Sequence, residues 1–358
     1  KDESLLASYL FSIGYAYAKQ GYLEQGWTYL QDVLSRFRTL DDPYFIGLVL
    51  NSLAITARAM GRYGLQEQYL HDLIELANQV GDFFGEAAAY VNLAVLYGLR
   101  EQYDKAIEST EKGLALFKQM GEKRAIAVAL SNLGRYASCS GDTILAEQHI
   151  TTALNMHRAL GSASSAAKCL QYLGENYLAE HNHEQADTYL QDALTKFVDL
   201  NNREGISNCH YHLAVLHRDN PARAISSLQQ AEAIQRDAKL QRELARTLVL
   251  KNILLPRVQA SDLMELLQIA TSLQLPSIYR GCLLVAGKWY QEYGNQQAIQ
   301  NIAPHLRALY HDVPFHQEFM LPYVDQLITL GADDTHPKHF STHDLVKTLL
   351  DDIASIVG

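Results

Sequence analysis

Apolar and polar positions alternate along this chain with the spacing of amphipathic helices, and the pattern itself returns every forty residues. One column holds only small residues: Gly14, Ala54, Ala94, Gly134, Gly174 and Ala214. The column before it is apolar throughout: Ile13, Leu53, Leu93, Leu133, Leu173 and Leu213. A residue without bulk beside an apolar anchor is what two closely crossing helices require, because protein interiors are packed as densely as organic crystals. Twelve positions further on stand Gly26, Gln66, Ala106, Ala146 and Ala186, and four beyond those Leu30, Leu70, Thr110, Ile150 and Leu190, the spacing of a second helix face. Each unit therefore reads as a helical hairpin.

The turns agree with this register. Asp41, Gly81, Gly121, Gly161 and Asn201 are residue types that tolerate the left-handed conformation ending a helix. Asp42, Asp82, Ser162 and Asn202, which follow four of them, are good N-caps. Within the hairpins Gly21, Gly61 and Gly141 supply the short turn, from which Glu101 and His181 depart. Pro43 suits a first helical turn. The predicted helices are 3–19, 23–39, 43–60, 63–79, 83–100, 103–119, 122–140, 142–159, 162–180, 183–199, 202–219 and 221–236. Beyond them the period slips, with helices expected at 238–254, 260–273, 276–293 and 295–310, and a last pair at 315–330 and 341–356 whose final helix carries Leu345, Leu349, Ile353 and Ile356. The expected fold is all-α, a right-handed α-solenoid of about nine antiparallel helix pairs: six regular units over 1–236, two degenerate pairs over 237–310 and a capping pair over 311–358.

Composition narrows the function. The 48% hydrophobic content of the 358 residues suffices for a long core. A formal net charge of −10 argues against nucleic-acid binding by this segment. No apolar run reaches the roughly 18 residues of a membrane span. Cys139, Cys169, Cys209 and Cys282 lie in helical patterns without a CxxC pair, which reads as reduced, buried thiols and favours the cytoplasm. The start, Lys1-Asp2-Glu3-Ser4, lacks an initiator Met and reads as an excised fragment.

Several motifs suggest chemistry and fail on their context. Gly281 to Lys288 resembles a phosphate loop, but Gly287 is misplaced by one residue and Trp289 stands where Ser or Thr would meet magnesium. Ser165 to Lys168 matches S-x-x-K without its companion motifs. His181-Asn182-His183-Glu184 falls in an interhelical turn, and His336, His339 and His343 surround a Pro-interrupted linker, so neither set offers fixed metal geometry. With no nucleophile, base and orienter in common columns, the reading is not an enzyme, with no cofactor and no metal.

The Asn-Leu-Gly or Asn-Leu-Ala segments, with an aromatic three residues later, a Gly turn and then Ala, are similar to tetratricopeptide repeats of the forty-residue kind, most clearly from Tyr90 to Tyr97 with Ala106 and from Leu130 to Gly134 with Gly141 and Ala146. The resemblance implies a superhelix whose first helices line a concave groove, as in kinesin light chains, cell-polarity adaptors and sensor regions of bacterial signalling regulators. On that geometry the positions one after, two before and three before the small column face the groove. The candidate partner-binding residues are Asn51, Arg58, Asn92, Asn132, Arg135, Gln171, Tyr172, Glu175 and His212. Asparagine amides there offer donor and acceptor to a peptide backbone, or else to the neighbouring repeat. Arg58, Arg135, Lys168 and Arg218 could meet a carboxylate or pair internally with Glu175 or Asp219. The chaperone-type carboxylate clamp cannot be completed. The function expected is a protein–protein interaction module holding a protein or peptide partner. The alternative is a sensory or autoinhibitory arm of a larger bacterial regulator, either a nucleotide-switch activator or a repeat-linked protease, whose partners are flanking domains of the same chain.

Overall fold

The computed structural model describes residues 2–309, 321–330 and 341–357. Among them are eighteen α-helices and no strand. They fall into two compact units, Lys1–Tyr136 and Ala137–Gly358.

In the first unit α1 (Asp2–Lys19) packs on α2 (Leu23–Thr39), α3 (Pro43–Ala59) on α4 (Tyr63–Val80) and α5 (Phe83–Leu99) on α6 (Tyr103–Met120). Each second helix also packs on the next first helix, α2 on α3 and α4 on α5, so the pairs share one continuous core. The unit boundary falls within α7 (Lys123–Ser140).

The second unit continues with α8 (Thr143–Ala159), α9 (Ala163–Ala179), α10 (His183–Asp199), α11 (Arg203–Leu216) and α12 (Pro221–Asp237), each packed on its predecessor from α9 onward. Then come α13 (Gln241–Leu254), α14 (Ala260–Leu273), α15 (Pro276–Glu292), α16 (Gln296–Leu309), α17 (Leu321–Leu330) and α18 (Thr342–Val357). Helix α18 packs on α14 and α15, and α17 on α16. The expected linker at 331–337, with His336 and His339, lies outside the described residues, as does the start of the helix expected from 315.

The small column performs the task its spacing implied: Gly14, Ala54, Ala94, Gly134, Gly174 and Ala214 are all buried. A methyl group on Gly14 would meet Tyr29 Cβ at 2.8 Å, and one on Gly174 would meet Leu190 Cγ at 2.7 Å, so backbone contact across the hairpin depends on the missing side chain. The second-helix columns, Gly26 to Ala186 and Leu30 to Leu190, are buried without exception. Ile13 departs from its column and is 42% exposed, because among the described residues no earlier helix covers that face of α1.

The turns show one regularity that residue types concealed. Glu101 (φ 60°) and His181 (φ 58°) hold the same left-handed conformation as Gly21, Gly61 and Gly141, so they do not depart from the turn but adopt it under strain. The reason is the hydrogen bonding, since the next amide closes back on the carbonyl five residues earlier, Gln102 on Tyr97 and Asn182 on Tyr177. Asp42, Asp82 and Asn202 accept the expected capping bonds from Phe45, Gly85 and Gly205 amides, whereas Ser162 makes none. Asp142, Asn182 and Asn220 cap second helices in the same way.

Where the period slips, polar groups hold the core. Lys251 Nζ lies 2.7 Å from Asp262 Oδ2 and 2.8 Å from Glu232 Oε2, and Asn252 bridges Asp262 (2.9 Å) to the Gln259 amide (2.8 Å). Burial pulls the Lys251 ammonium down, but the two carboxylates outweigh it and leave the group above the ordinary lysine value. Lys288 donates to the carbonyls of Asn252, Ile253 and Leu255, occupying the free C-terminal acceptors of α13. One turn on, the Glu292 carboxylate accepts the Val258 amide, so the segment resembling a phosphate loop is a helix pinning a neighbour.

The four cysteines are free; Cys169, Cys209 and Cys282 are fully buried and Cys139 is half-buried, more open than its sequence context suggested. Burial pushes the thiols of Cys169 and Cys209 up to about 12 and that of Cys282 further.

Candidate functional site

In several first helices the positions two before and one after the small residue stay half-open while the position three before is buried. On α5, Asn92 and Val95 are half-exposed and Val91 is buried. The same division recurs downstream, where Gln171 and Tyr211 are closed and Glu175 and His212 half-open.

In the first unit Asn92 Nδ2 donates to Asn51 Oδ1 at 2.8 Å, linking adjacent first helices across the open face. Asn132 and Arg135 are half-buried on α7, and Arg58 is exposed in the last turn of α3.

In the second unit Glu175 is the hub. Its Oε1 accepts from Gln171 Nε2 at 2.7 Å and from His212 Nε2 at 3.0 Å. These groups are joined on α9 and α11, where the His212 ring lies against the Glu175 carboxylate. Tyr172, 6% exposed, carries Lys168 Nζ 5.9 Å above its ring. Arg218 donates to the Val215 carbonyl at 3.1 Å.

One member of this surface escaped the columns. Arg246 on α13 lies 4.3 Å from the Tyr211 ring centroid, and that ring stands edge-on to His212 at 5.2 Å. Tyr211 occupies a groove column, but Arg246 lies past the slip in period, where counting by forty no longer points to it. His210, beside this cluster, is held below the ordinary histidine value by burial.

Among the described residues no group of three His, Cys, Asp or Glu could hold a metal ion, and no helix is long and apolar enough to cross a membrane. His343 instead shares a 2.8 Å hydrogen bond with the Tyr279 hydroxyl.

Comparison with known proteins agrees with the repeat. The tetratricopeptide repeat family model matches residues 85–159. No curated protein sequence matches the chain. A Rap protein solved in complex with Competence and Sporulation Factor is similar in fold, with a TM-score of 0.60 at 13% identity over 90% of this chain and 99% of that one. The Rap conjugation gene regulator of plasmid pLS20, solved with the Phr* peptide, gives a TM-score of 0.53 at 14% identity over 99% and 98%. A signal transduction ATPase with a tetratricopeptide repeat sensor, from Pyrococcus horikoshii, gives 0.52 at 16% identity over 98% of this chain and 50% of that one.

Proposed function

From the tetratricopeptide repeat match over residues 85–159 and the repeat that continues on both sides of it, we propose that the chain is a protein–protein interaction module whose open first-helix faces hold a peptide or protein segment. One observation carries the reading: polar side chains that could have been apolar form connected rows on half-open faces, Asn51 with Asn92 in one unit and Gln171, Glu175 and His212 in the other. An amide pair bonded only to itself can exchange that bond for a peptide backbone at little net cost. Tyr172, Asn132, Arg135 and Arg58 supply side-chain selectivity around the rows. One similar fold was solved with the Phr* peptide and another with Competence and Sporulation Factor, which supports a bound peptide or protein segment here. The proposed setting is the cytoplasm, and the proposed role is binding without catalysis. The test is Asn92→Ala with Asn132→Ala in the intact chain, measured against peptides selected on the parent from a random display library. We expect unchanged helicity by circular dichroism and a loss of about 1–3 kcal/mol, or roughly 5- to 150-fold in Kd. Undiminished affinity for every selected peptide would refute the assignment.

A further inference from the structure

The first unit has a second surface that the amide row does not use. A cleft of about 350 Å³ opens between the start of α3 and the end of α4, lined by Pro43, Tyr44, Gly47, Leu73, Leu76 and Val80, with Asp82 at its edge. That volume is at the lower end of ligand pockets, enough for an anchoring side chain rather than a whole ligand. Around it large apolar groups face solvent: Tyr44 is 67% exposed and Phe83 57%. Val80, Phe84 and Leu40 are also exposed on the same two inter-pair turns. Soluble surfaces scatter such residues singly, and clustering on one edge marks a contact site. Gly47 helps to open the cleft, for it stands in a column otherwise made of Ala7, Ala87, Ala127, Ala167 and Ser207.

Charge says what the cleft would accept. The segments that line it, 41–47 and 72–86, contain Asp41, Asp42, Asp72, Glu75, Asp82 and Glu86 and not one Lys or Arg. None of these six carboxylates is in an ion pair among the described residues. Asp42 and Asp82 each accept one backbone amide and keep their charge at the rim. An apolar slot rimmed by carboxylates favours a cationic, apolar segment over an acidic one.

We propose that this edge is a docking site for a basic, apolar peptide segment, one large apolar side chain entering the cleft beside Gly47 and flanking Lys or Arg residues meeting Asp41, Asp82 and Glu86. The site is separate from the amide row of the proposed function and can stand or fall without it.

The test uses the intact chain and three fluorescein-labelled synthetic peptides: Lys-Arg-Ser-Leu-Trp-Lys-Lys, the same with Glu at every basic position, and the same with Ser in place of Leu-Trp. The first should bind at least about tenfold more tightly than the other two, and increasingly weakly as added salt shortens the Debye length below about 10 Å. Tyr44→Ala with Val80→Ala, both at exposed positions, should cost about tenfold. The isosteric set Asp41→Asn, Glu75→Gln and Glu86→Gln should flatten the salt dependence, with Asn tolerated at the left-handed position 41. Hydrogen exchange should show protection at 43–47 and 73–82, and Asn51→Ala with Asn92→Ala should leave this binding unchanged. Absence of binding by the first peptide at millimolar concentration, equal binding of all three, or protection of the amide row instead would overturn the proposal. So would a concentration-dependent dimer abolished by Tyr44→Ala, which would make a second copy the occupant.

Discussion

The hairpin α9–α10 and the hairpin α13–α14 belong to one unit and solve the same packing problem by opposite means. In the first, Gly174 brings two backbones together and Leu190 fills the contact. In the second, the forty-residue count lands on Leu254 instead of a small residue, and Lys251 and Asn252 of α13 meet Asp262 of α14, with Glu232 of α12 as the second carboxylate on Lys251. A repeat can lose the residue that defines it and keep its place in a stack, provided that buried charges are fully paired. The two solutions differ in how they fail. An apolar crossing degrades with added volume, whereas an ionic one collapses when a single partner leaves.

The largest effect expected follows from that asymmetry. Lys251→Met takes the cation away from Asp262, whose side chain is 7% exposed, while Glu232 keeps Arg236, and should cost about 3–5 kcal/mol in chemical denaturation. Replacing all three by apolar residues of similar volume should recover most of the loss, and a triple variant as unstable as the single one would break the comparison. Gly174→Leu should cost about 1–3 kcal/mol by overpacking against Leu190, read as a lowered thermal midpoint. An unchanged midpoint would mean that the small column is not a contact.

A smaller effect separates the two units by pH. Burial holds His210, His217 and His305 below the ordinary value, with Arg223 adding to the effect at His217, and all three lie in the second unit. On acidification the unfolded chain takes up these protons first, near pH 6.5, while the folded state resists. Stability is therefore present above that pH and lost as it falls toward the depressed folded values. Hydrogen exchange at pH 7.5 and 5.0 should show the second unit loosening around α11 and α16, and His210→Gln should weaken that trend near α11. Equal loosening in the parent and the variant would remove the histidine from the account.

Helices, register and core columns were legible because they depend on local period and residue volume, which a sequence displays directly. The half-exposed faces were legible for the same reason, as Asn92 and His212 show. What escaped were pairings that stacking decides. Nothing near Lys288 in the sequence announces that it will reach the C-terminus of α13, and Arg246 meets Tyr211 because α11 and α13 settle side by side. Glu101 and His181 misled through residue type, since the turn's hydrogen bonds impose φ more firmly than the side chains resist it. Ser162 misled in the other direction, a good cap left unused.

The buried thiols give the second unit an internal clock. A cysteine reacts as its thiolate, and at neutral pH groups raised to about 12 present that form to roughly one part in 10⁵, behind a wall of side chains as well. Cys169 on α9, Cys209 on α11 and Cys282 on α15 are spaced along the unit, so in the folded state each is silent to a thiol reagent until its own neighbourhood opens. Alkylation followed by mass spectrometry would then time local opening at three depths of one stack without any substitution. Three equal rates would describe a unit that opens all at once. A faster Cys282 would mean that the stack loosens from the end where its period has already decayed.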